Sequence, residues 1–123
     1  MYIFSFEKLE VWIESKDLTS FIYSITNKFP DSEKFGLTSQ IRRASISICS
    51  NIAEGTSRIT DKDKAHFISI SFSSTMEVLN QLILSYELNY ISEDEYLICR
   101  KKIESITNKL NSLRKHILSS KTI

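Results

Sequence analysis

The sequence predicts an all-α protein, four helices packed as an antiparallel up-down-up-down bundle. Three observations predict it. Glycine occurs twice and proline once in 123 residues, against about eight and six from average usage, so the tight turns of strand hairpins are scarce. Tyr96, Cys99, Ile103, Ile106, Leu110, Leu113 and Ile117 alternate steps of three and four without a fault, the pattern of left-handed bundle packing. Leu37, Ile41, Ala44, Ile48 and Ile52 also recur at helical spacing. Gln40, Arg42, Arg43, Asn51 and Glu54 share that helix, and polar groups there have to meet other helices, another subunit or a ligand.

The first helix is expected from about Phe6 to Lys28, with Val11, Leu18, Ile22, Ile25 and Phe29 on its seam, until Pro30 stops it. A short connection, DSEKFG, leads to the second helix, from about Leu37 to Ala53, with Gly55 as the expected C-terminal break. Thr60 caps the third, with Asp61 and Asp63 favourable in its first turn. That helix reaches about Asn89, with Ala65, Phe72, Met76, Leu79, Ile83, Tyr86 and Tyr90 as its seam. Ser92 and Glu95 form a capping box that opens the fourth. Connections this short make neighbouring helices antiparallel, and residues 1–123 read as one domain. Leu79, Ile106 and Leu110 are placed in the central core.

No apolar run approaches the roughly eighteen residues of a spanning helix, and the start, MYIFSFEKLE, lacks a basic region followed by a continuous apolar one. A cytoplasmic protein with no membrane association is expected. Cys49 and Cys99 lie far apart with no CxxC and no His at ligand spacing, so neither a disulfide framework nor a metal is called for.

A net charge of +1 hides an asymmetry. After Cys99, Arg100, Lys101, Lys102, Lys109, Arg114, Lys115 and Lys121 face Glu104 alone, giving +6, whereas the first 99 residues carry −5. With Tyr96 at heptad position a, Arg100 and Arg114 fall at e, Lys101 and Lys115 at f, and Lys102 and Lys109 at g, and these six are expected to form one solvated ridge opposite the seam. Such a ridge can follow phosphates. No aromatic RNA-binding pattern, zinc finger or glycine-rich loop accompanies it, so base-specific readout is not expected.

Catalytic readings fail on spacing, and neither catalytic residue nor cofactor is expected. Glu7, Glu10 and Glu14 supply the ExxE half of an all-helical, magnesium-dependent pyrophosphatase, but the matching ExxD is missing around Glu77. Asp63 and His66 lack the second carboxylate–histidine pair and further Glu of a di-iron bundle. His116 has no acidic neighbour one turn back, and Arg114 stands only two residues from it.

The segments FEKLEVW, FPDSEKFGLTSQIRRA, SICSNIAEG, Arg58, SSTMEVLNQL and LNYIS together resemble the small bacterial four-helix-bundle or 23S rRNA-intervening-sequence proteins, over roughly Phe6 to Leu113. That family is related to the accessory variability determinant of diversity-generating retroelements. The resemblance implies a homopentameric ring, a role linked to RNA or DNA, and a reverse transcriptase as a possible partner. The family pattern falls on Leu9, Trp12, Pro30, Glu33, Phe35, Gly36, Leu37, Gln40, Arg42, Arg43, Ala44, Ser47, Ile48, Asn51, Ile52, Ala53, Glu54, Gly55, Arg58 and Glu77. Cys49 stands where the family often has Pro, and Ser73 where Gly is usual. These departures imply a less kinked second helix and a looser helix contact.

An unmet buried polar group costs about 1–3 kcal/mol, so the polar residues of the motif should be paired. Glu54 with Arg58 at i, i+4 is one candidate pair. Glu54 or Glu77 with Arg42 or Arg43 across helices is another. Trp12, Phe21, Tyr23, Ile46, Phe67, Ile70 and Leu82 fall outside the seams, more apolar surface than a small monomer leaves in water, which predicts a symmetric homo-oligomer. Two functions remain open. One is an oligomeric scaffold that binds nucleic acid through the basic ridge; the other is a protein-interaction module that touches no nucleic acid.

Overall fold

The computed structural model describes residues 1–119 and is all-helical there, with no strand among the described residues. A 3-10 turn at Ser5–Lys8 precedes α1 (Glu10–Thr26). A second 3-10 turn, Asp31–Glu33, leads into α2 (Leu37–Ser57), followed by α3 (Asp61–Glu87) and α4 (Glu93–Ser119). One cluster of buried side chains runs through all four helices. It takes Val11, Leu18, Ile22 and Ile25 from α1 and Leu37, Ile41, Ala44, Ile48 and Ile52 from α2, as their spacing predicts. Cys99, Ile103, Ile106 and Leu110 enter it from α4.

The helix ends have local causes. The Thr60 hydroxyl accepts from the Asp63 N–H at 3.1 Å. At the start of α4 the Glu95 N–H donates to the Ser92 hydroxyl (3.1 Å) while the Ser92 N–H donates to the Glu95 carboxylate (2.9 Å), so the capping box forms. α1 begins later than expected, because its first residues form the 3-10 turn, in which the Phe4 N–H donates to the Glu7 carboxylate and Phe6 packs edge-on against Trp12. Asn89 turns the chain after α3 with φ +62°, and the Tyr90 and Asn89 amides donate to the Ser85 and Tyr86 carbonyls, the bond pattern of a Schellman cap.

Two expectations are corrected here. Gly55 does not end α2. It is buried inside the helix, and a Cβ there would stand 3.0 Å from the Phe67 Cβ and 3.4 Å from the Lys64 carbonyl oxygen, so its bare face lets α3 approach. The core face of α3 is also rotated by about one residue from the expected seam. Ile68, Ser71, Thr75, Val78, Leu82 and Ser85 are buried, while Leu79 is half-buried and Met76 and Ile83 are exposed. Leu82, expected outside the seam, is fully buried.

Hydroxyls explain the rotation. The Ser71 hydroxyl donates to the Ile48 carbonyl oxygen of α2 at 2.8 Å, and the Ser47 and Ser74 hydroxyls meet at 2.8 Å. Thr75 and Ser85 bond the carbonyls four residues back in their own helix. Satisfied in this way, small polar residues can be buried between helices at little cost, and they let α2 and α3 pack closely. α3 is also long and apolar enough, by length and composition, to cross a membrane. Its hydroxyl residues, Glu77, Asn80 and Gln81 interrupt that apolar character, and one face of it packs on α2 and α4 as a bundle helix does.

Candidate nucleic-acid interface

The cations of α4 do not form one ridge. Positions e and g lie on opposite flanks of an a/d seam, so each turns toward a different neighbouring helix and only f points straight out. On the α1 side, the Lys109 ammonium sits 2.6 Å from the Glu14 carboxylate and 3.6 Å from that of Glu10. The Ser105 hydroxyl also donates to Glu14, at 2.5 Å. Partial burial works against the Glu14 charge, but Lys109 and Ser105 prevail and hold its carboxyl below the ordinary range. The same hydrogen bond raises the Lys109 ammonium above the usual lysine value. Lys102 lies over the Phe21 ring and, with Glu14, Asp17, Ile98, Lys101 and Ser105, lines a cavity of about 330 Å³ between α1 and α4.

On the α3 side the partners are neutral. Arg100 donates to the Tyr96 hydroxyl at 2.9 Å and lies over its ring, which stacks on Tyr86 at a centroid distance of 4.7 Å. Arg114 donates to the Ser69 hydroxyl at 2.9 Å. Lys101 and Lys115, both exposed, occupy the outer position. None of these four cations forms an ion pair among the described residues. Lys121 lies outside the described residues.

The polar residues of the second helix are gathered differently. Gln40, Arg43, Ser47, Asn51 and Glu54 recur at steps of three and four and share one stripe, and the contact of Ser47 with Ser74 sets that stripe beside α3. The Asn51 amide donates to the Ser47 carbonyl and hydroxyl at 2.8 and 3.0 Å. On α3 the Gln81 amide donates to the Glu77 carboxylate at 3.3 Å, whereas the buried carbonyl oxygen of Gln81 has no hydrogen-bond partner among the described residues.

Glu54 does pair with Arg58, at 3.7 Å, and Arg58 lies 4.3 Å over the Phe67 ring. The expected cross-helix pairs do not form. Arg42 instead turns to the end of α1, donating to the Thr26 hydroxyl (2.9 Å), the Asn27 side-chain oxygen (3.2 Å) and the Tyr23 carbonyl (3.4 Å) over the Tyr23 ring. A cation there offsets the partial negative charge of the helix C-terminus. Arg43 and Glu77 are exposed, with no ion pair among the described residues.

Sequence reasoning missed Glu14, Ser69, Ser105 and the Tyr86–Tyr96 stack. The spacing of Glu10, Glu14 and Asp17 on one flank of α1 is the signal that would have found the first. Among the described residues no three His, Cys, Asp or Glu side chains are grouped to hold a metal ion. Cys99 is buried, which pushes its thiol up to about 12, and burial raises Cys49 as well. Neither thiol is poised as a nucleophile at neutral pH.

Fold and surface together define a small helical-bundle protein whose polar features lie along its helix faces. The chain belongs to the 23S rRNA-intervening sequence protein family, whose model matches residues 7–112. Among solved structures it is similar to the crystal structure of a protein of unknown function from the S23 ribosomal protein family of Bacteroides thetaiotaomicron VPI-5482. That likeness has a TM-score of 0.79 at 23% identity and covers 85% of this chain and 98% of that one. At this identity it speaks for the fold alone. No curated protein matches the chain.

Proposed function

We propose that the protein is a non-enzymatic scaffold, an antiparallel up-down-up-down bundle that assembles with its own copies and holds nucleic acid through its phosphates without reading sequence. The observation that carries the nucleic-acid part is the sorting of charge on α4. Glu10 and Glu14 of α1 are turned to Lys109, with Lys102 adding to the positive charge near Glu14, while Arg100, Lys101, Arg114 and Lys115 form no ion pair among the described residues. Four such cations on one helix suit a polyanion. The family's name refers to an insertion in 23S ribosomal RNA, which makes RNA the first nucleic acid to try.

Support for self-assembly comes from the α2–α3 face. Arg43 and Glu77 are exposed with no ion pair among the described residues, and Phe67 and Ile70 stand half-buried on α3, a mixture of charge and apolar surface that suits a second copy. The antiparallel arrangement is supported by positions that meet across that seam, 55 with 67, 48 with 71 and 47 with 74.

Binding measured against salt tests the first part. Four phosphate contacts give a log–log slope of about −3 for a single strand, and neutralising the four cations flattens it. Affinity that does not change with salt overturns the nucleic-acid reading and favours a module that meets only proteins. Light scattering tests the second part: a symmetric oligomer is expected, with Arg43→Glu weakening it at unchanged helicity, and a monomer at micromolar concentration overturns assembly.

A further inference from the structure

The two flanks of α4 differ in a way that bears on which nucleic acid is held. On the α3 side, Arg100 and Arg114 stand fourteen residues apart on one helix, a span of about 21 Å at the α-helical rise. Between them runs a furrow made of two adjoining cavities. One, of about 190 Å³, is lined by Met76, Leu79, Arg100, Ile103, Glu104 and Thr107. The other, of about 280 Å³, is lined by Ile68, Ser69, Phe72, Ser73, Leu110, Asn111 and Arg114. Both guanidinium groups are anchored before any ligand arrives, Arg100 by the Tyr96 hydroxyl and ring and Arg114 by the Ser69 hydroxyl, and neutral anchors leave their charge uncancelled.

We infer that this α3–α4 furrow is a seat for a single strand of nucleic acid, with Arg100 and Arg114 as its two phosphate anchors. The inference rests on the nucleic-acid reading above and narrows it. A stacked strand carries one phosphate per about 3.4 Å, so the span between the anchors matches about six nucleotides of stacked strand and fewer of an extended one. That lies within the 4–16 nucleotides of single-strand sites on other scaffolds. A duplex fits less well on two counts. Neighbouring helix axes stand about 8–10 Å apart, which leaves a furrow one strand wide. Its floor carries the half-buried Leu79 and Phe72 among hydroxyl and amide groups, and such apolar faces are matched by exposed base faces, which a duplex stacks away from contact. Glu104, about one turn inward from Arg100, repels phosphate from the interior of the furrow. It leaves the middle of the furrow to sugar and base and the two ends to phosphate.

Fluorescence anisotropy with labelled U12 and with a hairpin duplex of equal charge tests this. The wild-type chain is compared with R100Q/R114Q, K101Q/K115Q and E104Q, and far-UV circular dichroism checks each fold. The wild type is expected to bind U12 at least tenfold more tightly than the duplex. R100Q/R114Q weakens U12 at least tenfold, K101Q/K115Q, whose lysines stand outside the furrow, weakens it by a clearly smaller factor, and E104Q tightens it. R100K/R114K restores part of the loss, since the charge returns without the planar fork. Duplex binding as tight as U12, or equal losses in the two double variants, overturns the furrow and leaves phosphate binding by α4 standing. Failure of the wild type to bind either probe overturns both readings.

Discussion

The α2–α3 and α1–α4 seams join helices of the same bundle by opposite means. Between α2 and α3 the backbones come close enough for a serine hydroxyl to reach a carbonyl on the other helix, and Gly55 presents no Cβ to α3. Between α1 and α4 long charged side chains make the connection. Lys28, just past the end of α1, meets Glu95, Lys109 meets Glu14, and a cavity of about 330 Å³ remains between the helices. Small residues give a seam that tolerates no added volume. Long charged ones give a seam whose strength depends on salt and pH.

The largest effect that would sharpen this comparison comes from the buried face of α3. Leu82→Ala should cost about 2–5 kcal/mol in urea denaturation, as a large-to-small change at a fully buried site. Its neighbour Ile83→Ala should stay within about 0.5 kcal/mol, as surface changes do. The reverse order would restore the expected seam and refute the observed one. Next, Gly55→Leu should cost about 1–3 kcal/mol by overpacking against Phe67. A gain in stability would show that α3 can give way, and the contrast between the seams would fail.

Smaller effects follow. Ser71→Ala removes one interhelical hydrogen bond and should cost about 1 kcal/mol, independent of salt. At the α1–α4 seam, Glu14→Gln and Glu95→Gln should have the smallest effect, and one that fades as salt rises. Their pH dependence has a definite sign. Despite the opposing effect of burial, Lys109 and Ser105 hold Glu14, and Lys28 and the Ser92 amide hold Glu95, below the ordinary carboxylate value. The stabilisation is whole above that ordinary value and is lost as pH falls through the lowered ones. An acid-unfolding curve of the double variant should be flatter over that range, and one identical to wild type would show that the pairs contribute nothing.

Much of the bundle was legible because its signals are apolar and periodic. The α1, α2 and α4 stripes, Thr60, Pro30 and the Ser92–Glu95 box all act as their chemistry prescribes. α3 was misread because a scan for apolar residues skips Ser71, Thr75 and Ser85, whose hydroxyls are satisfied only once the neighbouring backbone is in place. Gly55 was misread for a related reason, since glycine at a helix end and glycine at a close helix crossing look alike in one dimension. Of the candidate site residues, Glu54 with Arg58 follows from spacing alone. Arg42 does not, because its partners at the end of α1 become neighbours only through the turn at Pro30. The α4 cations split because flanks e and g diverge, a point that depends on which helices lie on either side.

One carboxylate bears on how far the chain can be re-engineered. Glu33, in the turn between α1 and α2, accepts from the Leu37 N–H at 3.2 Å and from the Tyr90 hydroxyl at 2.9 Å, with Gly36 leaving the room it needs. It thereby ties the start of α2 to the corner between α3 and α4. Residues inserted between Glu33 and Gly36 would part that tie. At the connection between α2 and α3, Ile59 is 96% exposed, and residues 58–60 make no side-chain hydrogen bond to the α1 or α4 side of the bundle among the described residues. A tag or fluorophore peptide is therefore best inserted beside Ile59, and the Glu33 turn kept at its native length.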